Sequence, residues 1–346
     1  MKQLMIIIDG MADRPCDALG GKTPREAAHT PALDGMAATG RILTTPEGFA
    51  VDSQTCILSI LGVSAGQLPQ GRAFLEALAA GIPTDPGDLL LRINLVGMEG
   101  DRLAKNCLPY TGKLPELEAF DFTRVDSGRG ILRLLGRADL YGSFHCRPPH
   151  GHMDRPFDEL LPSGCDVAER LADAALGMRN RTGGISFIPW SPSLCPALPD
   201  FFSLRGMSGA VVCGTPVVRG IALGLGLACP AISGATGNTD TDLASKLAAT
   251  RALLRDHDFV LLHLNGADEA AHRRDPVWKA AFIGQVDREL LTSLLREVDD
   301  RPVVVLSDHA TLSGTGAHDP MPVTVWCSRG DLVLSDLLPD TVQAVD

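Results

Sequence analysis

The 346-residue sequence predicts an α/β fold: a parallel sheet flanked by helices, interrupted by a smaller inserted α+β domain. Three observations carry this. Short, mainly apolar runs, of the kind that form strands buried on both faces, end close to acidic residues. Two of these runs enclose an amphipathic segment, which makes a strand–helix–strand unit. Between the first run and the others lies a long stretch punctuated by proline and glycine.

The first run, Leu4-Met5-Ile6-Ile7-Ile8, ends in Asp9-Gly10. Asp9 therefore sits at the carboxyl end of a buried strand, the edge where open α/β sheets collect ligands. Next, Val51-Asp52-Ser53-Gln54-Thr55-Cys56 reads as a turn entering an apolar helix. A serine there serves as a helix cap or, exposed beside free N–H groups at the positive helix end, as a nucleophile toward phosphate. Punctuation at 66–71, 83–87, 147–156 and 189–199 marks the inserted domain, assigned to residues 66–205 within a core of 1–65 and 206–346. Small apolar residues resume the core at Gly209-Ala210-Val211-Val212.

Phe259-Val260-Leu261-Leu262-His263-Leu264 is the second buried strand and leads to Asp268. Asp268-Glu269-Ala270-Ala271-His272 sets a carboxylate and an imidazole four residues apart, on one face of a helical turn and able to grip one divalent ion. The same pattern fits a solvated helix start capped by Asp268. Residues 278–298 carry Ala281, Ile283, Val286, Leu290, Leu291, Leu294 and Leu295 at the spacing of an amphipathic helix. Pro302-Val303-Val304-Val305-Leu306-Ser307 then forms the third strand and delivers Asp308-His309. Neighbouring residues on a regular strand point to opposite faces, so both reach one metal only where the chain has left the sheet, as it does at a strand end. His318-Asp319-Pro320 follows a flexible segment, 312–317.

Hydrophobic residues make up 45% of the chain and charged ones 21%, an ordinary globular balance. With 42 acidic against 31 basic residues and no dense run of Lys or Arg, nucleic acid is not expected as a partner. A small anionic substrate stays compatible, because local cations outweigh the average field inside a cleft. Nine cysteines (16, 56, 107, 146, 165, 195, 213, 229 and 327), odd in number and without a CxxC pair, argue against a disulfide framework and a thiolate zinc site. The expected compartment is the cytoplasm. The opening apolar run, about five residues stopped by Asp9, is far too short for a signal segment or a membrane span, so no membrane partner is expected.

Taken in order, these fragments resemble the cofactor-independent phosphoglycerate mutases, especially their shorter archaeal-type branch in the alkaline-phosphatase superfamily. The resemblance runs along nearly the whole chain. It opens with Ile8-Asp9-Gly10-Met11-Ala12-Asp13, Leu19-Gly20-Gly21-Lys22-Thr23-Pro24 and Thr30-Pro31-Ala32-Leu33-Asp34. It continues through Ser53, Leu58-Ser59-Ile60-Leu61-Gly62, Gly71-Arg72, Leu75-Glu76-Ala77 and Arg92-Ile93-Asn94. Gly234-Ala235-Thr236-Gly237, Asp240-Thr241 and Lys246 come next, followed by Gly266-Ala267-Asp268-Glu269-Ala270-Ala271-His272, Asp308-His309-Ala310-Thr311 and His318-Asp319-Pro320-Met321-Pro322.

The resemblance implies an alkaline-phosphatase-like fold and two divalent metal ions, manganese or zinc. One would be held by Asp268, His272 and His318, the other by Asp9, Ser53, Asp308 and His309. Ser53 would be the nucleophile, transiently phosphorylated while 3-phosphoglycerate and 2-phosphoglycerate interconvert. Arg72, Arg92, Asn94, His150, Arg219 and Lys246 are the candidates for holding this small phosphorylated substrate. The chain departs from the family pattern on the substrate side. Gln54 stands where an acid usually follows the nucleophile, Tyr141-Gly142-Ser143 replaces a Tyr-Arg-His run, and no Lys or Arg lies between His309 and His318. Those departures define an alternative, a metal-dependent phosphatase or phosphotransferase of the same superfamily acting on another phosphoester. A non-catalytic, ligand-binding descendant is the third possibility.

Overall fold

The computed structural model describes residues 2–114, 117, 120–298 and 300–345. The chain enters one compact unit with β1 (Gln3–Ile8) and β2 (Ala37–Leu43). It leaves for a second with β3 (Leu89–Glu99), β4 (Arg102–Asn106), β5 (Asp121–Arg124), β6 (Arg129–Leu134) and β7 (Ile185–Leu194). It returns with β8 (Gly209–Val212), β9 (Phe259–Leu264), β10 (Val303–Leu306), β11 (Ala310–Leu312), β12 (Ala317–Asp319), β13 (Val323–Cys327) and β14 (Gln343–Val345). The units are Met1–Leu68 with Leu198–Asp346, and Pro69–Ala197.

The first unit is built on a seven-stranded sheet in the order β14-β2-β13-β10-β1-β9-β8. The apolar runs lie together: β1 pairs in parallel with β9 from Gln3↔Phe259 to Ile8↔Leu264, and with β10 from Leu4↔Val303 to Ile7↔Leu306. Every residue of β1, β9 and β10 is buried, as strands covered on both faces must be. Only four of the seven strands are mutually parallel, β10, β1, β9 and β8. The expected parallel sheet is thus mixed, because β13, β2 and β14 add antiparallel at one edge. A parallel return from β10 to β13 would need a crossover helix. The intervening chain is spent instead on the β11–β12 hairpin. The 278–298 segment is helical as its spacing predicts, running as Pro276–Val286, a π turn over Asp287–Leu291, and Thr292–Glu297.

The second unit is an antiparallel sheet centred on β3, which pairs with β4, β6 and β7, while β5 pairs with β6. The helix Asp166–Thr182 buries Val167, Ala168, Leu171, Ala174, Ala175 and Met178. That stripe of helical period joins a separate core with Leu91, Ile93, Leu95 and Phe187 of the sheet.

Candidate metal centre

Because β1 and β10 are neighbours running the same way, Asp9 and Asp308 leave the sheet side by side at its carboxyl edge. Both are completely buried, and His309 is 1% exposed. The exit is tightened by Gly10, whose N–H donates to Asp308 Oδ1 at 3.3 Å. Its φ of +62° suits glycine, and a Cβ there would fall 2.8 Å from the Cα of Asp268. That close approach brings the helix Gly266–His272 onto the strand ends. Asp268 is not the cap of this helix, a position held by Asn265; it is buried and points into the cluster, so the solvated-cap alternative does not hold.

Ser53 is likewise released from capping. Asp52 caps the helix Ser53–Leu61 by accepting from the Thr55 N–H at 2.8 Å. The Ser53 hydroxyl instead lies 3.3 Å from Asp9 Oδ2 and 3.2 Å from His309 Nε2. Ligand atoms of Asp9, Asp308 and His309 lie within 4.8 Å of one another, and so do those of Asp268, His309 and His318. His272 joins the second group, its Nε2 being 3.2 Å from Asp268 Oδ2 and 3.2 Å from His318 Nε2. All the residues expected to bind metal therefore meet in one cluster. His309 stands between its two halves, where the resemblance places it in only one.

The protons of this cluster follow from its outer partners. His272 Nδ1 is 2.7 Å from the Gly316 carbonyl and His318 Nδ1 is 2.8 Å from that of Val51. A carbonyl only accepts, so both Nδ1 atoms carry hydrogen, and in the neutral rings both Nε2 atoms are bare lone pairs. The Thr311 hydroxyl donates to Asp268 Oδ1 at 2.6 Å, which leaves its oxygen to accept from His309 Nδ1 at 3.2 Å. The His309 Nε2 lone pair thus faces inward too. Asp9 Oδ1 and Asp308 Oδ2 are buried without a hydrogen-bond partner. Burial first, and then the charges of Asp308 and Asp268, push the Asp9 carboxyl well above the usual carboxylate range. Converging lone pairs and carboxylates repel one another unless a cation lies among them. The residues present fit divalent ions, and an oxygen-plus-imidazole set suits manganese or zinc.

Behind the clustered carboxylates and imidazoles stands a shell that the motifs did not announce. His263 on β9 is fully buried and donates through Nε2 to Asp9 Oδ2 at 3.1 Å. Burial holds its pKa down to about 4, so the ring is neutral. Lys279, also fully buried, reaches Asp13 Oδ2 at 2.8 Å, the Thr311 carbonyl at 2.8 Å and the Ala12 carbonyl at 3.2 Å. Asp13 in turn accepts from the Ser313 N–H at 3.1 Å and hydroxyl at 2.6 Å. One buried ammonium thereby ties the loop after β1 to the loop after β10.

The substrate candidates are divided between the two units. Arg72, Arg92, Asn94 and His150 belong to the second unit. There the Arg92 guanidinium pairs with Glu76 at 2.9 Å and lies 4.2 Å over the Trp190 ring. Asn94 Nδ2 donates to Asn106 Oδ1 at 2.9 Å, the His150 and Trp190 rings are 5.1 Å apart, and the Arg72 backbone N–H donates to Ser191 Oγ at 2.9 Å. In the first unit, Arg219 donates to the Cys229 carbonyl at 2.8 Å. Lys246 is completely buried with its ammonium on the His263 carbonyl at 3.0 Å. Its expected contact with substrate gives way to a structural one, because its only charged atom is spent inside the protein.

Residues 1–332 match the model of the metalloenzyme superfamily. The chain is 33% identical to the 2,3-bisphosphoglycerate-independent phosphoglycerate mutase of Methanopyrus kandleri, the match covering 94% of this chain and 87% of the relative. It is 33% identical to the enzyme of the same name from Methanosphaerula palustris, over 100% and 91% of the two chains. Among solved structures, the PH0037 protein from Pyrococcus horikoshii superposes with a TM-score of 0.74 at 26% identity, covering 97% of this chain and 89% of that one. The cofactor-independent phosphoglycerate mutase from Thermoplasma acidophilum shares the fold, with a TM-score of 0.60 at 22% identity over 96% and 91% of the chains.

Proposed function

The chain belongs to the metalloenzyme superfamily and, within it, to the 2,3-bisphosphoglycerate-independent phosphoglycerate mutases; from that membership we propose that it interconverts 3-phosphoglycerate and 2-phosphoglycerate through a phosphorylated Ser53. The observation that carries the reading is the setting of Ser53. It is the first residue of a helix already capped by Asp52, and its hydroxyl lies 3.2 Å from His309 Nε2 and 3.3 Å from Asp9. Divalent ions, manganese or zinc, held by Asp268, His272 and His318 and by Asp9, Ser53, Asp308 and His309, would acidify that hydroxyl and neutralise phosphoryl oxygens.

The chain's own groups do the rest. Ser53 Oγ forms a bond to phosphorus as the substrate's P–O bond breaks, and the positive end of its helix favours the resulting phosphoserine. Transfer to the other hydroxyl of the bound glycerate reverses the step and frees the serine. His263 and Thr311 hold Asp9 and Asp268 in place while this happens. We assign Arg72 and His150 of the second unit to the substrate's carboxylate and phosphate; Arg92 and Asn94 are already paired with Glu76 and Asn106. A second reading has one observation in its favour. The stretch from Ala310 to Ala317 carries no Lys or Arg, which fits a phosphatase or phosphotransferase working on a different phosphoester.

An assay separates the two. Purified, manganese-loaded protein given 3-phosphoglycerate is expected to make 2-phosphoglycerate at an enzymatic rate with little free phosphate. Free phosphate in place of 2-phosphoglycerate would favour the second reading, and no reaction at all would count against both phosphoglycerate chemistry and the mutase assignment.

A further inference from the structure

Two thiols lie together in the first unit, apart from the metal ligands and unused by the proposed reaction. Cys213 follows β8, and Cys229 lies on the strand-like segment beside it. The two backbones are held in register by the Ala210↔Ala228 bridge and by the Val211 N–H donating to the Ala228 carbonyl at 2.7 Å. The sulfur atoms are 3.7 Å apart. A disulfide needs about 2.05 Å, so the sulfurs, already in contact, must close by less than about 2 Å.

The two sulfurs are not equivalent. Cys213 is 9% exposed, whereas Cys229 is half-buried. Arg219 is anchored on the Cys229 carbonyl at 2.8 Å, and the same Nη1 stands 4.0 Å from the Cys229 sulfur. The hydrogen bond from Cys213, and after it the Arg219 charge, draw the Cys229 thiol below its ordinary range. The Cys213 thiol is driven the other way, by its bond to Cys229 and by burial. A thiol that attacks and a thiol that waits are what thiol–disulfide exchange requires.

We propose that Cys213 and Cys229 form a reversible disulfide by exchange with a low-molecular-weight disulfide, Cys229 attacking and Cys213 resolving. The Cys229 thiolate bonds to one sulfur of the reagent and expels the other as a thiolate, giving a mixed disulfide. Cys213, on losing its proton, then attacks the Cys229 sulfur and expels the second half of the reagent. The net change is two protein thiols oxidised and one small disulfide reduced to two thiols. In a reducing compartment such a pair is closed only transiently, which is the usual behaviour of cytosolic disulfides.

The full-length protein, folded, is incubated with oxidised glutathione and mapped by mass spectrometry of non-reduced peptides. The native chain is expected to yield a Cys213–Cys229 cross-link that dithiothreitol removes, with glutathione also appearing on the exposed Cys107 as an internal control for reagent access. Cys213→Ser is expected to trap glutathione on Cys229. Cys229→Ser is expected to abolish both the cross-link and any adduct at Cys213. Absence of the cross-link from the native chain while Cys107 reacts, or accumulation of glutathione on Cys213 in Cys229→Ser, would overturn the proposal.

Discussion

At the scale of single residues, the centre depends on a few atoms held where they would otherwise repel. Ser53→Ala removes the proposed nucleophile and proposed metal ligand together, and phosphoryl transfer is expected to fall by at least about a thousandfold, measured as single-turnover kinetics. Gly10 is more sensitive than its size suggests. Its positive φ and the 2.8 Å separation its Cβ would have from the Asp268 Cα mean that Gly10→Ala must displace the metal helix. A shift of about 1 Å at the chemistry costs on the order of a hundredfold, so kcat for Gly10→Ala is expected to drop by about that factor with the fold intact by circular dichroism. His263→Leu leaves Asp9 Oδ2 without its ring donor, and metal affinity measured by competition with a chelator is expected to weaken roughly 10- to 100-fold. The clustered residues were legible because Asp-x3-His, Asp-His and His-Asp-Pro are short patterns with chemistry in them. His263 and Lys279 were not, yet each left a signal. His263 is the polar residue inside a strand buried on both faces, and Lys279 falls four and seven residues before Ile283 and Val286, on the apolar stripe of its helix. A cation on a buried stripe must have a buried partner, and that partner is Asp13.

Helices and loops carry those atoms, and their stability decides whether the site exists. Lys279 joins the post-β1 loop to the β11 segment from a helix that contributes no metal ligand. Lys279→Met would leave Asp13 a buried carboxylate without its counter-ion, and is expected to cost about 3–5 kcal/mol in the denaturant midpoint of the metal-free protein. Asp52→Ala removes the cap that frees Ser53, and about 1 kcal/mol of stability is expected to go with it. The serine hydroxyl is the nearest substitute cap, so turnover should fall further than stability. The buried strands and the helical stretch 278–298 were readable from periodicity alone. The antiparallel edge was not, because β13, β2 and β14 alternate or stay exposed, and their direction is set by the hairpin that occupies the chain before β13.

For the molecule as a whole, two separately packed cores divide the labour of folding, and among the described residues the clustered carboxylates and imidazoles that could hold a cation lie in the first. Removing metal with a chelator is expected to lower the melting temperature. At a free ion concentration a hundred times Kd, each site contributes about 2.7 kcal/mol to the folded state, and Asp9→Asn should reduce the metal-dependent part of that shift. Among the described residues no helix is long and apolar enough to cross a membrane. The order of the motifs along the chain was enough to identify the family, but the substrate side stayed opaque. Arg92 and Lys246 look alike in sequence as lone cations near family motifs, and only their partners, Glu76 with Trp190 and the His263 carbonyl, tell what each one holds.

The most direct measurement is acid quenching of the manganese-loaded protein during turnover of 3-phosphoglycerate, followed by peptide mapping for phosphate. A phosphorylated Ser53 that forms within one turnover, and is absent without substrate, is the predicted result. Rapid production of 2-phosphoglycerate with Ser53 never phosphorylated, or undiminished production by Ser53→Ala, would contradict it.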